Sequence, residues 1–253
     1  MHTFSDEEWA LRVDLAACYR LVDMFGMLDM IYNHISARVP GEDSFLINPF
    51  GYHYSEITAS SLIKVDVDGN VLYNPHETYG VNKAGFVIHS AIHKARHDVE
   101  CIIHTHTLDG MAVSAMKCGL LPLTQTSMRF VNVAYHDYQG VVVDTEEQES
   151  LVNDLGEADV MILRNHGLLA TGRTIPEAFN NIYRLERSCA VQLRVMSSGA
   201  EINLPNDEVI RRTGQQLKLQ PSADSPGKQK PYGILEWPAL KRLLDKKCPD
   251  YKD

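Results

Sequence analysis

Two histidines at the end of a short apolar segment are the first residues of this sequence that could perform chemistry. Residues 100–107 read Glu-Cys-Ile-Ile-His-Thr-His-Thr, and the apolar start is typical of a buried strand. Because successive side chains of a strand point to opposite faces, His104 and His106 point the same way. Neutral imidazoles are common ligands of zinc and similar cations, so this pair could contribute to a metal site. The pair alone is also compatible with one buried, hydrogen-bonded histidine and one surface histidine.

His166 supplies a third imidazole in a comparable setting. The apolar segment 160–163 predicts a second short buried strand, which ends in Arg-Asn-His-Gly, and residues 168–170 continue it in extended form. A tight corner between two strands would hold His166 in a rigid position. Three histidines suit zinc, manganese and iron alike, so the set does not select one metal.

Three further histidines lie on one predicted helix. Residues 83–97 carry apolar side chains at helical spacing, and His89, His93 and His97 follow one another in steps of four. Histidines at this spacing can share a cation, but no glutamate accompanies them in a His-Glu-x-x-His pattern. We therefore expect His89 to pack near the active site, and His93 and His97 to face solvent or a subunit contact.

Composition narrows the class of protein. The 253 residues are 44% hydrophobic and 23% charged, which is typical of a soluble globular protein. The net charge of −9 makes a general affinity for nucleic acid or anionic membranes unexpected. No apolar run is long enough to cross a bilayer, and the N-terminus lacks a signal-peptide pattern. Five scattered cysteines without a Cys-x-x-Cys motif favour free thiols in a reducing cytoplasm.

Local signals predict several further elements. The segments Ser5–Glu8 and Thr174–Glu177 have the spacing of capping boxes, so they predict helices over residues 9–25 and from 175 to about 197. Residues 126–135 are strand-like.

The chain divides into a domain and an extension. We expect one domain over residues 1–220, because no linker or repeat interrupts it. Residues 221–253 form a C-terminal extension. It starts with a segment rich in Pro, Ser, Gly and Lys and closes with a short helix over residues 237–247.

Five segments together resemble the class II aldolase/adducin family. They are Asn33-His34-Ile35-Ser36-Ala37-Arg38, Phe45–Gly51, Lys94–Val99, His104-Thr105-His106 and Asn165-His166-Gly167. The resemblance implies an α/β fold, a single domain with a central, mainly antiparallel β-sheet flanked by helices. It also implies a homotetramer with sites at subunit contacts. By the match to the zinc-binding aldolases, His104, His106 and His166 should bind a divalent metal, zinc first, with manganese or iron as alternatives.

The sequence departs from the aldolases at their catalytic glutamate. In those enzymes the glutamate lies four residues before the helix histidine that matches His89, and this chain has Gly85 there. The hydroxyl residues that hold the substrate phosphate are replaced by Lys83, Ala84 and Phe50. A site without these donors is poorly suited to a phosphate group. Segments such as 81–86 resemble the adducin-like branch, which does not dictate a reaction.

The retained histidines and the resemblance favour a metal-dependent lyase. Its substrate would be a small anionic oxo or hydroxy acid, cleaved at a C–C bond by aldol cleavage or decarboxylation. Candidate proton donors are His136, Tyr138 and His89, since tyrosine and histidine suit this role within hydrogen-bond reach of a substrate. The segment 135–138 could equally be a polar strand end that packs the sheet edge.

Substrate binding and two other functions complete the hypotheses. Asn33, Lys83 and Arg129 are candidate substrate-binding residues. Lys83 and Arg129 could pair with a substrate carboxylate. Alternatively, both are ordinary surface charges without a functional role. Gly85 favours a non-catalytic, adducin-like binding or scaffold protein. Iron at the same histidines would favour an oxygenase, although such sites usually include a carboxylate.

Overall fold

An eight-stranded β-sheet forms the centre of the fold. The computed structural model describes residues 4–140, 145–221 and 229–253. In chain order the strands of the sheet are β1 (His34–Arg38), β2 (Ser44–Ile47), β3 (Ile63–Asp66), β4 (Val71–Tyr73), β5 (Cys101–Thr105), β6 (Ala134–His136), β7 (Val160–Leu163) and β8 (Gly167–Gly172). Their spatial order is β4-β3-β2-β1-β5-β8-β7-β6, and every pair is antiparallel except β6 with β7. The expected single α/β domain with a mainly antiparallel sheet is confirmed.

Helices cover both faces of this sheet. They are α1 (Asp6–Met24), α2 (Lys83–Ala95), α3 (Leu108–Ser114), α4 (Gln125–Met128), α5 (Thr145–Leu155), α6 (Ile175–Ser197), α7 (Asp207–Gln216) and α8 (Trp237–Lys247). A second small sheet pairs β9 (Gln220–Pro221) with β10 (Gln229–Lys230), and 3-10 turns span Tyr54–Glu56 and Pro249–Lys252. The side chains of Ser5 and Thr174 cap α1 and α6, as their sequence predicts.

The strand alternation assigns each sheet residue to one face. On β5, Cys101 and Ile103 pack in the larger core with α1 and α6, whereas Ile102 packs in a second core with α2 and α5. His104 continues the even-numbered series and therefore lies on the α2 side of the sheet. This face carries the candidate site.

The strand predicted over residues 126–135 is wrong except for its last two residues. Thr124 accepts a hydrogen bond from the backbone N–H of Ser127 at 3.2 Å, and this cap starts the short helix α4. Only Ala134 and the two residues after it form a strand, β6. The hydrogen bond from the backbone to the Thr124 side chain therefore favours a helix start here, although the residue types favour a strand.

The C-terminal helix is where the sequence predicts it. α8 packs against α1, and Trp237 and Leu244 are buried in the larger core. Most of the predicted linker, 222–228, lies outside the described residues, and the division at residue 220 stays a prediction. The cysteines are free, and among the described residues no helix is long and apolar enough to span a bilayer.

Candidate metal centre

Three imidazoles converge at one end of β5. The Nε2 atoms of His104 and His106 are 2.8 Å apart, and those of His106 and His166 are 3.0 Å apart. One nitrogen from each ring lies within 4.8 Å of the others. The structure thus brings together all three histidines that the sequence predicts as metal ligands.

The corner before β8 carries His166 to the other two. Asn165 adopts a positive φ of 56°, a conformation that asparagine tolerates better than most residues, and His166 donates its backbone N–H to the Leu163 carbonyl at 3.1 Å. At Gly167 a Cβ atom would lie 2.4 Å from the carbonyl oxygen of Thr105. Only glycine permits this approach, so the Asn-His-Gly sequence is what lets β8 start beside the histidines of β5.

Hydrogen bonds at Nδ1 fix the tautomers of two rings. The Nδ1 atom of His104 is 2.9 Å from the Leu168 carbonyl oxygen, and Nδ1 of His106 is 3.3 Å from Oδ2 of Asp29. Both partners are acceptors, so both Nδ1 atoms carry protons and both Nε2 atoms present lone pairs. Two facing lone pairs repel each other unless a proton or a cation lies between them. In tetrahedral zinc sites with bonds of 2.0–2.1 Å, ligand atoms lie roughly 3.3 Å apart, close to the spacing here. The residues therefore fit a divalent metal.

The electrostatics keep these rings neutral. Burial lowers the pKa of His104 well below its ordinary value, and the neighbouring histidines act in the same direction. Burial also lowers the pKa of His106, although Asp29 opposes it. Burial and His106 together lower the pKa of His166 to about 4. Neutral imidazole is the form that binds metals, so the three histidines need not lose a proton to bind a cation at neutral pH.

Asn33 holds the loop that carries Asp29. Its side-chain oxygen accepts from the Asp29 N–H at 3.1 Å, and its Nδ2 donates to the Met27 carbonyl at 3.2 Å. Asn33 is buried, and its amide is engaged at both ends, so the predicted substrate-binding role does not agree with its position. The reason is local, because the loop before β1 needs these bonds to turn. Asp29, which sequence reasoning missed, is the residue that this loop delivers to His106.

A buried chain of side chains lies behind the three histidines. Nδ1 of His34 is 2.7 Å from Nε2 of His89. Nδ1 of His89 makes a short hydrogen bond with Oγ of Ser36, and the same Oγ is 2.9 Å from Nε2 of His93. Sequence reasoning missed His34 and Ser36 as members of the site. The one available signal was their i, i+2 spacing in the Asn33–Arg38 segment, which sends both side chains to the α2 face.

The expectations for the helix histidines are only partly correct. His97 is exposed, as expected. The expectation for His93 is wrong, because it is completely buried against Ser36 and the ring of Phe45. His89 is buried near the site as expected, but both its ring nitrogens bind protein atoms, so it does not reach a substrate directly.

His136 and Tyr138 lie beside His166. Together they line a small crevice, and the ring centroids of Tyr138 and His166 are 6.4 Å apart. His136 is buried, with Nδ1 2.7 Å from Oδ2 of Asp154. Tyr138 is 53% exposed and stands at the rim. The structure therefore places both predicted proton donors next to a candidate metal ligand.

The two positively charged side chains predicted to bind substrate, Lys83 and Arg129, lie in different parts of the structure. Lys83 is the exposed first residue of α2, two residues before Gly85. Arg129 instead donates to Asn180 at 2.6 Å and to Asn181 at 2.7 Å. Asn181 in turn binds the carbonyl of Thr171 at 2.9 Å, near the end of β8 that is remote from His166. At 3.3 Å a residue, four strand residues put this bond about 13 Å from the start of β8. The substrate-binding prediction for Arg129 is therefore not supported, since burial against α6 engages its guanidinium.

Comparison with known proteins places this fold in a family. Residues 13–193 match the family described as Class II Aldolase and Adducin N-terminal domain. The chain belongs to the class II aldolase and adducin family. A solved aldolase II superfamily protein from Pseudomonas syringae is 48% identical, with a TM-score of 0.90, over 99% of this chain and 98% of that one.

Relatives with enzyme and adducin names both resemble this class II aldolase/adducin chain. An L-fuculose 1-phosphate aldolase from Glaciozyma antarctica PI12 is 29% identical, with a TM-score of 0.84, over 100% of this chain and 97% of that one. The alpha-adducin of Rattus norvegicus is 45% identical over 94% of this chain, which spans 33% of the adducin. Family membership alone therefore does not choose between an enzyme and a binding protein.

Proposed function

We propose that this protein is a metal-dependent lyase that cleaves a C–C bond of a small anionic oxo or hydroxy acid. The observation that carries the proposal is the convergence of three neutral imidazoles through their Nε2 atoms, two of them 2.8 Å apart. A purely structural cluster would place a proton or a donor between such nitrogens. A bound divalent cation would supply a Lewis acid that withdraws electrons from a substrate oxygen.

The protein's own residues would hold and orient this centre. His104, His106 and His166 would be the ligands. The Leu168 carbonyl and Asp29 keep the rings of His104 and His106 in the tautomer that presents Nε2. Hydrogen bonds of this kind to the second nitrogen of a ligand histidine tune metal affinity. Zinc is the metal that we favour from the family resemblance, with manganese and iron as alternatives.

His136 and Tyr138 would handle the proton that the product needs after the bond is broken. Tyr138 stands at the rim beside His166 and can donate its phenolic proton. Asp154 holds the ring of His136 through Nδ1, as an orienting carboxylate does in other acid–base pairs. Lys83, exposed at the start of α2, would attract the acidic group of the substrate.

A non-catalytic binding protein is the second candidate. Gly85 replaces the aldolase glutamate, and the alpha-adducin of Rattus norvegicus is 45% identical over most of this chain. Metal-dependent turnover of any oxo or hydroxy acid would exclude it. An oxygenase is a weaker alternative, because among the described residues the cluster consists of histidines without a carboxylate.

The first experiment is elemental analysis of the purified, untagged protein. The variant His166→Ala removes one ligand, and His97→Ala is the matched control, since it deletes an exposed imidazole. We expect near-stoichiometric divalent metal in the wild type and the control, and loss in His166→Ala. Zinc or manganese directs the next screen to release of carbon dioxide or an aldehyde, and iron directs it to oxygen uptake. Absence of metal in the wild type, even after soaking, contradicts the proposal.

Zinc as the metal, a homotetramer and a cytoplasmic location stay predictions. Sedimentation of the metal-loaded protein tests the oligomeric state. A tetramer would agree with the expectation that sites lie at subunit contacts.

A further inference from the structure

A cavity separate from the three histidines lies where the C-terminal extension packs on α6. Its volume is about 150 Å³, and the residues that line it belong to the end of α1, the first half of α6 and the segment 233–240. None of them is a candidate metal ligand, and none lines the crevice beside His166. The proposed lyase chemistry therefore does not account for this cavity.

Three aromatic rings form the apolar wall of the cavity. Phe179 and Tyr183 are four residues apart on α6, so they lie on one side of the helix, with ring centroids 6.2 Å apart. Phe25, which follows the last residue of α1, meets Tyr183 edge-on at 5.2 Å and lies 6.1 Å from Phe179. Phe25 is 37% exposed, so part of this wall faces solvent. Such ring edges and faces pack favourably against a further aromatic ring.

The C-terminal extension closes the cavity on the other side. Gly233 has a φ of +100°, and a Cβ atom there would collide with the carbonyl oxygen of Pro176, so only glycine lets the extension approach the start of α6. The carboxylate of Glu236 accepts from the N–H of Gly233 at 2.9 Å and from Nδ2 of Asn180 at 3.3 Å. Trp237 is buried in the larger core. These contacts anchor the extension and give the cavity a fixed wall.

Two charged residues line the cavity, and only one of them is already engaged. Glu236 accepts from three neutral donors, the third being Nε2 of Gln220 at 3.2 Å. Arg184 is half-buried and lies four residues after Asn180 on α6. Among the described residues, its guanidinium has no hydrogen-bond or ion-pair partner. The cavity therefore combines a surface for an apolar ring with unused hydrogen-bond donors that carry a positive charge.

We propose that this cavity binds a small aromatic carboxylate, with its ring against Phe25, Phe179 and Tyr183 and its carboxylate on Arg184. An apolar cavity of about 150 Å³ in another protein binds benzene, so the volume here suits a single six-membered ring. A guanidinium matches a carboxylate with two parallel hydrogen bonds. A cationic ligand of the same size is disfavoured, because the acceptors of Glu236 are already used. The site depends neither on a metal nor on the proposed lyase activity.

The test titrates the protein with benzoate and with benzyl alcohol, which keeps the ring and lacks the charge. Trp237 lies 5.9 Å from Phe179 between ring centroids, so its fluorescence reports filling of the cavity. Trp9→Phe makes it the only emitting indole, since the chain has two tryptophans. We expect benzoate to bind about tenfold more tightly than benzyl alcohol, the size of a charge-assisted hydrogen bond. Arg184→Gln should abolish this difference and leave benzyl alcohol within about twofold, whereas Arg187→Gln, exposed on the same helix and outside the cavity, should change neither affinity.

A second pair of variants locates the bound probe. Leu240→Phe adds volume to the wall of the cavity and should weaken both probes. His166→Ala removes a candidate metal ligand, and benzoate should bind to it as to the wild type. Benzoate binding that is lost in His166→Ala and retained in Arg184→Gln would place the probe at the histidines and overturn the proposal.

Three other results also contradict the site, and none of them affects the proposed lyase function. The first is failure of the wild type to bind either aromatic probe. The second is tighter binding of benzylammonium than of benzoate, which would reverse the assigned charge. The third is a change in sedimentation of Leu240→Phe without probe binding to the wild type, which would show that a second copy of the chain covers this face.

Discussion

Replacing Gly85 by alanine measures how tightly His34 fills the space beside α2. The new methyl group would lie 2.7–3.1 Å from three atoms of the His34 ring, and real Cβ atoms do not come closer than about 3.0 Å without displacement. Overpacking of this kind costs typically about 1–3 kcal/mol, whereas alanine in a helix gains roughly 0.5–1 kcal/mol over glycine. The expected net loss in the free energy of unfolding is therefore about 1–2 kcal/mol.

The same substitution should change sign when the ring is absent. In a His34→Ala background nothing opposes the methyl group, and the helix gain remains, so Gly85→Ala should be neutral or stabilise by up to about 1 kcal/mol. The coupling between the two positions is then about 2 kcal/mol, well above the error of a double-mutant cycle. It is measured by urea unfolding of the four metal-free proteins.

A matched control and a clear refutation accompany this cycle. Gly80→Ala adds a methyl group with no atom within 4 Å, so it should have little effect in either background. If Gly85→Ala has the same effect with and without His34, the ring does not occupy that space. The structural basis for His34 as the substitute for a side chain at 85 would then be lost.

Three further predictions concern the metal and the pH. His106→Ala should abolish metal retention, because it removes the ring that lies between the other two; full metal content by elemental analysis would contradict the ligand assignment. Asp29→Asn should weaken metal affinity about 10–100-fold in a chelator competition, since the carboxylate orients His106; an unchanged affinity would show that the 3.3 Å contact is unimportant. Metal-free protein should lose stability as the pH falls below about 6.5, because buried histidines with lowered pKa values take up protons on unfolding, at up to about 1.4 kcal/mol per pH unit for each. His93→Phe should make the dependence of the urea midpoint on pH shallower, and an unchanged slope would contradict the lowered pKa of His93.

Much of the fold follows from local patterns in the sequence. The caps at Ser5 and Thr174 are contacts between near neighbours in the chain, so the spacing of the sequence is sufficient to predict them. The convergence of the three candidate metal ligands could also be predicted. The strand alternation aligns His104 with His106, and the Asn-His-Gly corner brings His166 to them.

The buried polar chain could not be predicted in the same way. Its links join residues 53 to 57 positions apart in the sequence, so no local period reveals them. By periodicity His93 reads as one residue of a histidine stripe, and the expectation that it faces solvent follows from the usual exposure of polar residues. The structure buries His93 instead, because the hydroxyl of Ser36 on β1 forms a hydrogen bond with His93 and another with His89. These bonds offset the cost of burying two polar rings.

Gly85 shows how a missing group in a sequence can mark an occupied space in a structure. Read along the chain, glycine at this position is the loss of a glutamate, which favours a protein without catalytic activity. In the folded protein a side chain there would collide with His34, so the glycine and the histidine form one arrangement. Glycine at position 85 and the imidazole beside His104 are therefore parts of one structural feature. For this reason the absence of the glutamate does not by itself weigh against catalysis.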